Sequence, residues 1–452
     1  MKKPVVDPQG PEIRQDIADA TRSPELLVPG QDRIAEAQTD SPESAGQRPL
    51  SAAVQNARGT ALMAVQRVEE ALECFREAIE LDPDNAEAQY NEGGALLSLN
   101  RLDEATKSLL RGYALAPALP GGRLMLGMAL LKLGRYREGW PHAEYFMAHR
   151  GPGEPRSILA SLLPEWQGET LEDRSLVVQC DYGFGDAIQY VRFMPALKAR
   201  GLGHVTLVCP PALKTLFKSA REIDTLKSTD EHVDLRKADY WCYLSSVPLR
   251  LDVTPDSLAA QRPYLSVRSA QIRHWGRRLE RSLPAGLPRV GLVSAGKRRA
   301  DDLHAKLMDE RRSLPHVCLY RPLLALQDVA FVSLHKDPDK RAQWRELPEA
   351  QRSFDLMGDV GDFADTAALM RNLDLVVTTD TSIAHLAGAL GTPCWVLLNF
   401  DCDWRWLHER TDSPWYPGTM RLFRQPEPGA WDAVIGEVAG ALRGWVVQAR
   451  AR

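Results

Sequence analysis

The stretch Leu373-Asp-Leu-Val-Val-Thr-Thr-Asp-Thr-Ser-Ile-Ala-His-Leu-Ala-Gly-Ala-Leu-Gly-Thr-Pro-Cys-Trp-Val-Leu-Leu398 reads as strand, polar turn, small-residue helix and strand, which is half of a nucleotide-binding unit. The apolar run Leu373 to Val377 is short and β-branched, as a strand buried on both faces of a parallel sheet must be. Asp380, Thr381 and Ser382 fall where that strand ends and a helix begins. Hydroxyls and free backbone N–H groups converge there at the positive end of the helix dipole, so an anionic ligand is expected at that point. Ala384, Ala387, Gly388 and Ala389 keep the helix thin enough to lie close to the sheet, and Gly391-Thr-Pro393 stops it before the strand Cys394 to Leu398.

A chain of 452 residues exceeds one typical domain severalfold, and 44% hydrophobic residues suffice to build several cores. A formal charge of -4 gives no global attraction to nucleic acid or to an anionic membrane, so any phosphate site must be local. No apolar run approaches the roughly 18 to 20 residues of a membrane span, and Met1-Lys-Lys-Pro-Val-Val-Asp7 lacks a signal peptide's apolar region. The expectation is a cytoplasmic chain with no nucleic-acid partner and no transmembrane segment. The seven cysteines are scattered without a C-x-x-C pair, which suggests neither a disulfide framework nor a zinc site.

Residues 1–50 are rich in Pro, Gln, Asp, Glu and Ser, and are expected to be disordered. A repeat with a period of 34 follows over 51–150. Gly59, Gly93 and Gly127 are in register, as are Ala61, Ala95 and Ala129, then Leu62, Leu96 and Leu130, Arg67, Arg101 and Arg135, and Glu70, Glu104 and Glu138. Pro83 and Pro117 close the second helix of the first two repeats, while the third looks truncated after Tyr136-Arg-Glu-Gly-Trp140. The pattern resembles the tetratricopeptide repeat, a helix-turn-helix unit that stacks into a solenoid. A linker rich in helix breakers, Arg150-Gly-Pro-Gly-Glu-Pro155, comes next.

Beyond it strands alternate with helices: Ser175 to Cys180, Val205 to Cys209, Tyr240 to Leu244, Val290 to Ser294, Ala330 to Leu334, Leu375 to Thr378 and Trp395 to Leu398. The segment Arg281 to Pro288 divides them into two halves, giving Rossmann-like domains over 156–285 and 286–452. Two such sheets in series would hold a ligand in the crevice between them. In the first half, Asp181-Tyr-Gly-Phe-Gly-Asp-Ala-Ile-Gln-Tyr-Val-Arg192 follows a strand, with Gly183 and Gly185 allowing a tight turn and Asp186 starting a helix. Asp186 is therefore either a helix cap and nothing more, or a general base facing the crevice.

Five segments together resemble bacterial tetratricopeptide-repeat glycosyltransferases whose module is similar to the lipopolysaccharide heptosyltransferases and, more distantly, to the protein O-GlcNAc transferases. They are Gly185-Asp186-Ala-Ile-Gln-Tyr190, Asp362-Phe-Ala-Asp-Thr-Ala-Ala-Leu369, Asp380-Thr-Ser-Ile-Ala-His-Leu-Ala-Gly388, Asp403-Trp-Arg-Trp406 and Ser413-Pro-Trp-Tyr-Pro417. The resemblance implies a GT-B fold, with an acceptor side in the first Rossmann-like domain and a nucleotide-sugar side in the second. It implies that Asp186 is the base, and that Asp380, Thr381, Ser382 and His385 hold the nucleotide-sugar together with Gly183, Gly185, Gln189, Ser294, Gly296, Arg312 and Ser313. From the residues alone, His385 is equally a helix residue bonded to Thr381 four positions earlier. Two positions depart from the family pattern: Ser294 stands where a tryptophan is usual, and Lys297 occupies an asparagine position.

An always-charged guanidinium such as Arg312 suits bidentate contact with a diphosphate leaving group. Asp401-Cys-Asp403 carries the carboxylate spacing of metal-dependent sugar transferases, but the resemblance places Asp403 in a module where arginine or a helix dipole replaces the metal. Trp404, Trp406, Trp415 and Tyr416 are read as packing the C-terminal wall rather than stacking on a base or sugar. The expected activity is transfer of a sugar from a nucleotide-sugar co-substrate to an acceptor hydroxyl, inverting, with no metal or other cofactor, and with the repeats binding a protein or peptide acceptor or partner. The rival reading is a non-catalytic interaction scaffold carrying an inactive GT-B module. Ala430 to Val446 has an apolar helical face that suits either the last helix of the fold or an interface.

Overall fold

The computed structural model describes residues 51–148, 157–258, 263–296 and 303–450. The N-terminal segment 1–50, the linker Arg150–Pro155 and Lys297 lie outside them. N-terminal helical repeats are followed by two α/β domains of GT-B type facing a crevice. Contacts group the described chain into two compact units, the repeats forming one and the α/β domains the other.

The helical unit holds three antiparallel pairs: α1 (Ala52–Ala64) with α2 (Val68–Leu81), α3 (Ala86–Ser98) with α4 (Leu102–Leu115), and α5 (Pro120–Lys132) with α6 (Tyr136–Ala148). The glycine column explains how closely each pair approaches. A Cβ on Gly59 would lie 2.4 Å from the Phe75 ring, one on Gly93 2.4 Å from Leu109 Cγ, and one on Gly127 2.7 Å from the Ala143 backbone nitrogen. Each first helix ends in a left-handed residue, and these too recur with the repeat: Gln66 (φ 62°), Asn100 (φ 57°) and Gly134 (φ 77°). The Arg–Glu columns are ion pairs across the first turn of each second helix, with Arg101–Glu104 and Arg135–Glu138 at 2.6 Å and Arg67 paired to Glu70 in the same way. Exposed pairs of this kind are screened by solvent and add little to stability.

The third pair is complete rather than truncated, because α6 runs on through Pro141 to Ala148. Tyr136 and Trp140 bury their rings, and that packing offsets the hydrogen bond the proline removes. The same unit includes Phe400–Arg410. The Trp404 ring meets Tyr136 and Trp140 edge-on, at 5.9 and 5.2 Å between centroids, and Asn100 Nδ2 donates to the Phe400 carbonyl. Trp404 thus packs on the last repeat, not on a C-terminal wall.

The α/β unit contains two wholly parallel sheets. The first orders its strands β3-β2-β1-β4, from β1 (Ser175–Gln179), β2 (His204–Cys209), β3 (Thr225–Ser228) and β4 (Tyr240–Tyr243), with α7 (Phe184–Tyr190) following β1. Helix α8 (Ser269–Ser282) leads to the second sheet, ordered β10-β9-β8-β5-β6-β7. In chain order its elements are β5 (Arg289–Val293), α9 (Leu303–Arg311), β6 (Ala330–Ser333), β7 (Phe354–Asp355), α10 (Phe363–Met370), β8 (Leu375–Thr379), α11 (Ser382–Leu390), β9 (Cys394–Leu398), β10 (Met420–Arg424) and α12 (Trp431–Arg450).

Strands β6, β8 and β9 are buried along their whole length, as their unbroken apolar runs require. Three strands escape sequence reading: β3 and β7 are short and mostly half-buried, and β10 carries Arg421 and Arg424. β3, β7 and β10 sit at sheet edges, where one side needs no apolar cover. The apolar face of α12 lies in the core of the second sheet, where Val434, Ile435, Val438, Leu442 and Val446 pack with Leu375, Val377, Leu397 and Phe423. Burying each such side chain contributes about 1.5–3 kcal/mol. α12 is therefore the last helix of the fold.

Candidate functional site

Parallel sheets open a crevice where neighbouring strands send their chains in opposite directions. In the second sheet that point lies between β5 and β8, and in the first between β1 and β4. Most of the sequence-selected residues follow the carboxyl ends of β1, β5 and β8.

At the second sheet, Thr381 caps α11, its Oγ1 accepting from the Ile383 N–H at 3.3 Å and lying 3.0 Å from Thr378 Oγ1. Gly391, left-handed at φ 68°, ends the helix after nine residues. Asp380, Thr381 and His385 are buried beside this helix start. Gly296, beyond β5, lies between Thr381 and Arg312: a Cβ built on it would stand 3.7 Å from Thr381 Cγ2 and 4.0 Å from Arg312 Nη2. Arg312 is aimed by the buried Asp309, whose Oδ1 accepts from Nη2 at 2.5 Å. The result is a helix N-terminus, a threonine hydroxyl, a bare glycine backbone and a guanidinium around one point, the donor set for an anion.

Two expected ligand contacts are placed elsewhere. Ser294 is completely buried, its Oγ 2.9 Å from His335 Nε2, while its carbonyl accepts from the Leu314 N–H at 2.8 Å. Ser313 Oγ donates to the Asp309 carbonyl in the last turn of α9. Both residues brace the chain that carries Arg312. The Ser294 backbone N–H donates to His335 Nε2 at 2.7 Å and the Trp344 indole N–H points at Nδ1 at 3.1 Å, so the ring is held from both sides. Burial first, and then the charge of Lys340, push His335 down to about 3. Below pH 6.5 the unfolded chain binds a proton that the folded chain refuses, so stability falls as pH drops toward 3, by about 5 kcal/mol in all. The expected result is that His335→Gln flattens this acid limb in denaturant titrations; an unchanged limb would refute the assignment.

At the first sheet, the left-handed residue of the turn after β1 is Tyr182 (φ 57°), not a glycine; Gly183 has an ordinary φ of -84°. Asp186 stands at the third position of α7, and its Oδ2 accepts from the Gly183 N–H at 3.0 Å, half of a capping box that glycine cannot return. Gly185 is needed for a close approach instead: a Cβ there would lie 2.8 Å from His385 Cδ2 and 3.5 Å from Ser382 Cα. Helices α7 and α11 thus bring Asp186 and the anion-binding end of α11 to the same place. Gln189 is fully buried on α7, and its carbonyl accepts from Arg192 Nε at 2.8 Å.

Three groups escaped the sequence reading as site residues. His385 Nδ1 lies 2.9 Å from the Tyr416 hydroxyl, not on Thr381, and burial drives the Tyr416 phenol far above its usual range, so it keeps its proton. Arg192 is buried and donates to the Trp415 carbonyl at 2.6 Å and the Tyr264 hydroxyl at 3.0 Å, with the Tyr416 ring 4.6 Å from its guanidinium. Asp181, at the carboxyl end of β1, is 4% exposed and accepts from the Ser245 backbone and hydroxyl. A carboxylate in an apolar-to-turn transition was the available signal for it. Asp403 caps its own turn, its Oδ1 accepting from the Arg405 backbone and guanidinium, each at 2.9 Å. Among the described residues, no group of three or more His, Cys, Asp or Glu side chains is placed to hold a metal ion.

Residues 56–120 match the sequence model of a tetratricopeptide repeat, and residues 324–397 match that of glycosyltransferase family 9 (heptosyltransferase). The chain carries a tetratricopeptide-repeat region and a heptosyltransferase-like family 9 module. The family 9 match takes in Asp380–His385 but ends short of Arg312 and the first sheet. Protein FlbA of Caulobacter vibrioides is 27% identical over 335 residues, covering 68% of this chain and 52% of that protein, so the chain spans about half the length of this curated relative.

Two solved structures align with TM-scores of 0.45. The E. coli ADP-heptose lps heptosyltransferase II is 14% identical, over 61% of this chain and 99% of that one. The glycosyl transferase family 9 structure from Veillonella parvula DSM 2008 is 12% identical, over 62% and 99%. The more distant resemblance to protein O-GlcNAc transferases gains no support from these matches. No helix among the described residues is long and apolar enough to cross a membrane.

Proposed function

We propose that this chain transfers a sugar from a nucleoside-diphosphate sugar to an acceptor hydroxyl, with inversion. The observation that carries the reading is the convergence of Arg312, Gly296 and the Thr381-capped start of α11 at one sheet's switch point, against which α7 packs Gly185 beside Asp186. Asp186 takes the acceptor proton, and the freed oxygen attacks the anomeric carbon from the face opposite the leaving group. The bond to the diphosphate oxygen breaks, and its electron pair departs with the nucleotide. Arg312 and the N–H groups of α11 stabilise that growing charge, the role a divalent metal plays in other sugar transferases. Asp380 and His385 orient the donor, and the repeats bind a protein or peptide acceptor or partner.

The test is thermal denaturation with UDP, GDP, ADP or CMP, with and without magnesium, on wild type and Arg312→Ala. One nucleotide is expected to raise Tm by several degrees regardless of metal, and the variant to lose that shift; ligand at about 100 times Kd adds about 2.7 kcal/mol. No shift with any nucleotide would favour the interaction scaffold instead.

A further inference from the structure

The acceptor half of the site contains a second carboxylate, which the proposed transfer does not itself use. Asp181 sits where β1 ends, and its carboxylate accepts the Ser245 N–H at 3.1 Å and the Ser245 hydroxyl. Ser245 lies in the turn Leu244–Ser246 that follows β4, so one buried side chain ties together the two strand ends that flank the first sheet's switch point. The next residue, Tyr182, is left-handed, and the residue after that, Gly183, donates its N–H to Asp186. The path from Asp181 to Asp186 is thus a short, over-determined turn, pinned at one end to β4 and at the other to the first turn of α7. The charged group acting on Asp181 is Asp186 itself; Ser245 hydrogen bonds favour its ionised form, and the neighbouring Cys180 thiol is pushed up chiefly by burial and by the charges of Cys209 and Asp181.

Building on the proposed transfer reaction, we propose that Asp181 is the positioning residue of the acceptor half, its carboxylate accepting both Ser245 bonds and so holding the turn that presents Asp186. Burial pushes Asp181 up to about 7, so its ionisation changes across the neutral range. Protonation loosens its hold on Ser245, so turnover is expected to fall severalfold as pH drops through that point and then to level off.

The experiment follows nucleotide release from a panel of UDP-, GDP- and ADP-sugars in the full-length protein from pH 5.5 to 9, for wild type, Asp181→Asn and Ser245→Ala. Wild type is expected to lose severalfold between pH 8 and 6, toward the level of Asp181→Asn. Asp181→Asn is expected to flatten that limb and to run severalfold slower at pH 8, with its diphosphate-induced Tm shift unchanged. Ser245→Ala removes a hydrogen bond that holds Asp181 down, so its limb is expected to move to higher pH. Limbs that coincide in all three proteins would overturn the assignment while leaving the transfer reaction standing. Absence of release from wild type with every donor overturns both.

Discussion

Asp186→Asn is expected to lower nucleotide-sugar turnover by about 10²- to 10⁴-fold, the usual loss when a positioned general base is removed. The substitution isolates that role because asparagine keeps the structural one: its Oδ1 accepts the Gly183 N–H as the carboxylate does at 3.0 Å, so α7 stays capped. Diphosphate binding, assembled on the other sheet by Arg312, Gly296 and Thr381, should survive, and so should Tm. Steady-state nucleotide release beside a diphosphate titration separates the two. Turnover within a few-fold of wild type would reduce Asp186 to a helix cap.

The largest loss of stability is expected at Gly388, on the face of α11 that meets Tyr416. A Cβ there would lie 2.1 Å from the Tyr416 ring. The ring has nowhere to go, being 3% exposed, 2.9 Å from His385 Nδ1 through its hydroxyl and close to the Arg192 guanidinium. Gly388→Val is therefore expected to cost about 3 kcal/mol or more in chemical denaturation, at the upper end of overpacking effects, with Gly388→Ala between it and wild type. A cost below about 1 kcal/mol would show that the Tyr416 cluster yields.

What the sequence reveals and what it hides follow from the range of the interactions. The repeat is legible because each of its columns serves a local purpose, with glycines admitting a close helix approach and Arg–Glu pairs bridging three residues across a first turn. The start of α11 is legible for the same reason, since a β-branched run giving way to Asp380-Thr-Ser382 marks a strand end and a helix cap within five residues of each other. Pro141 misleads, because burial of Tyr136 and Trp140 overrides a local rule for ending helices.

The hidden parts are long-range. Arg192 finds Trp415 at a separation of 223 residues and Tyr264 at 72, and His385 finds Tyr416 at 31. Asp181 looks like any turn aspartate until the fold buries it. The place of Ser294 in a motif marks it as a ligand contact, and only the arrival of His335 from the neighbouring strand β6 shows that its hydroxyl is engaged in the core.

The repeats are not portable. Their last helix is finished by Trp404, and Asn100 at the corner of the second repeat holds the carbonyl of Phe400, yet both partners are encoded between β9 and β10, far downstream in the chain. A chain trimmed to begin after residue 148 would keep this segment while losing Tyr136, Trp140 and Asn100, so the face of Trp404 that meets them would be opened to water and the Phe400 carbonyl would lose its donor. A drop in activity on such trimming would therefore say nothing about acceptor recruitment. Substitutions on the repeat surface that leave Tyr136, Trp140 and Asn100 in place would ask that question cleanly.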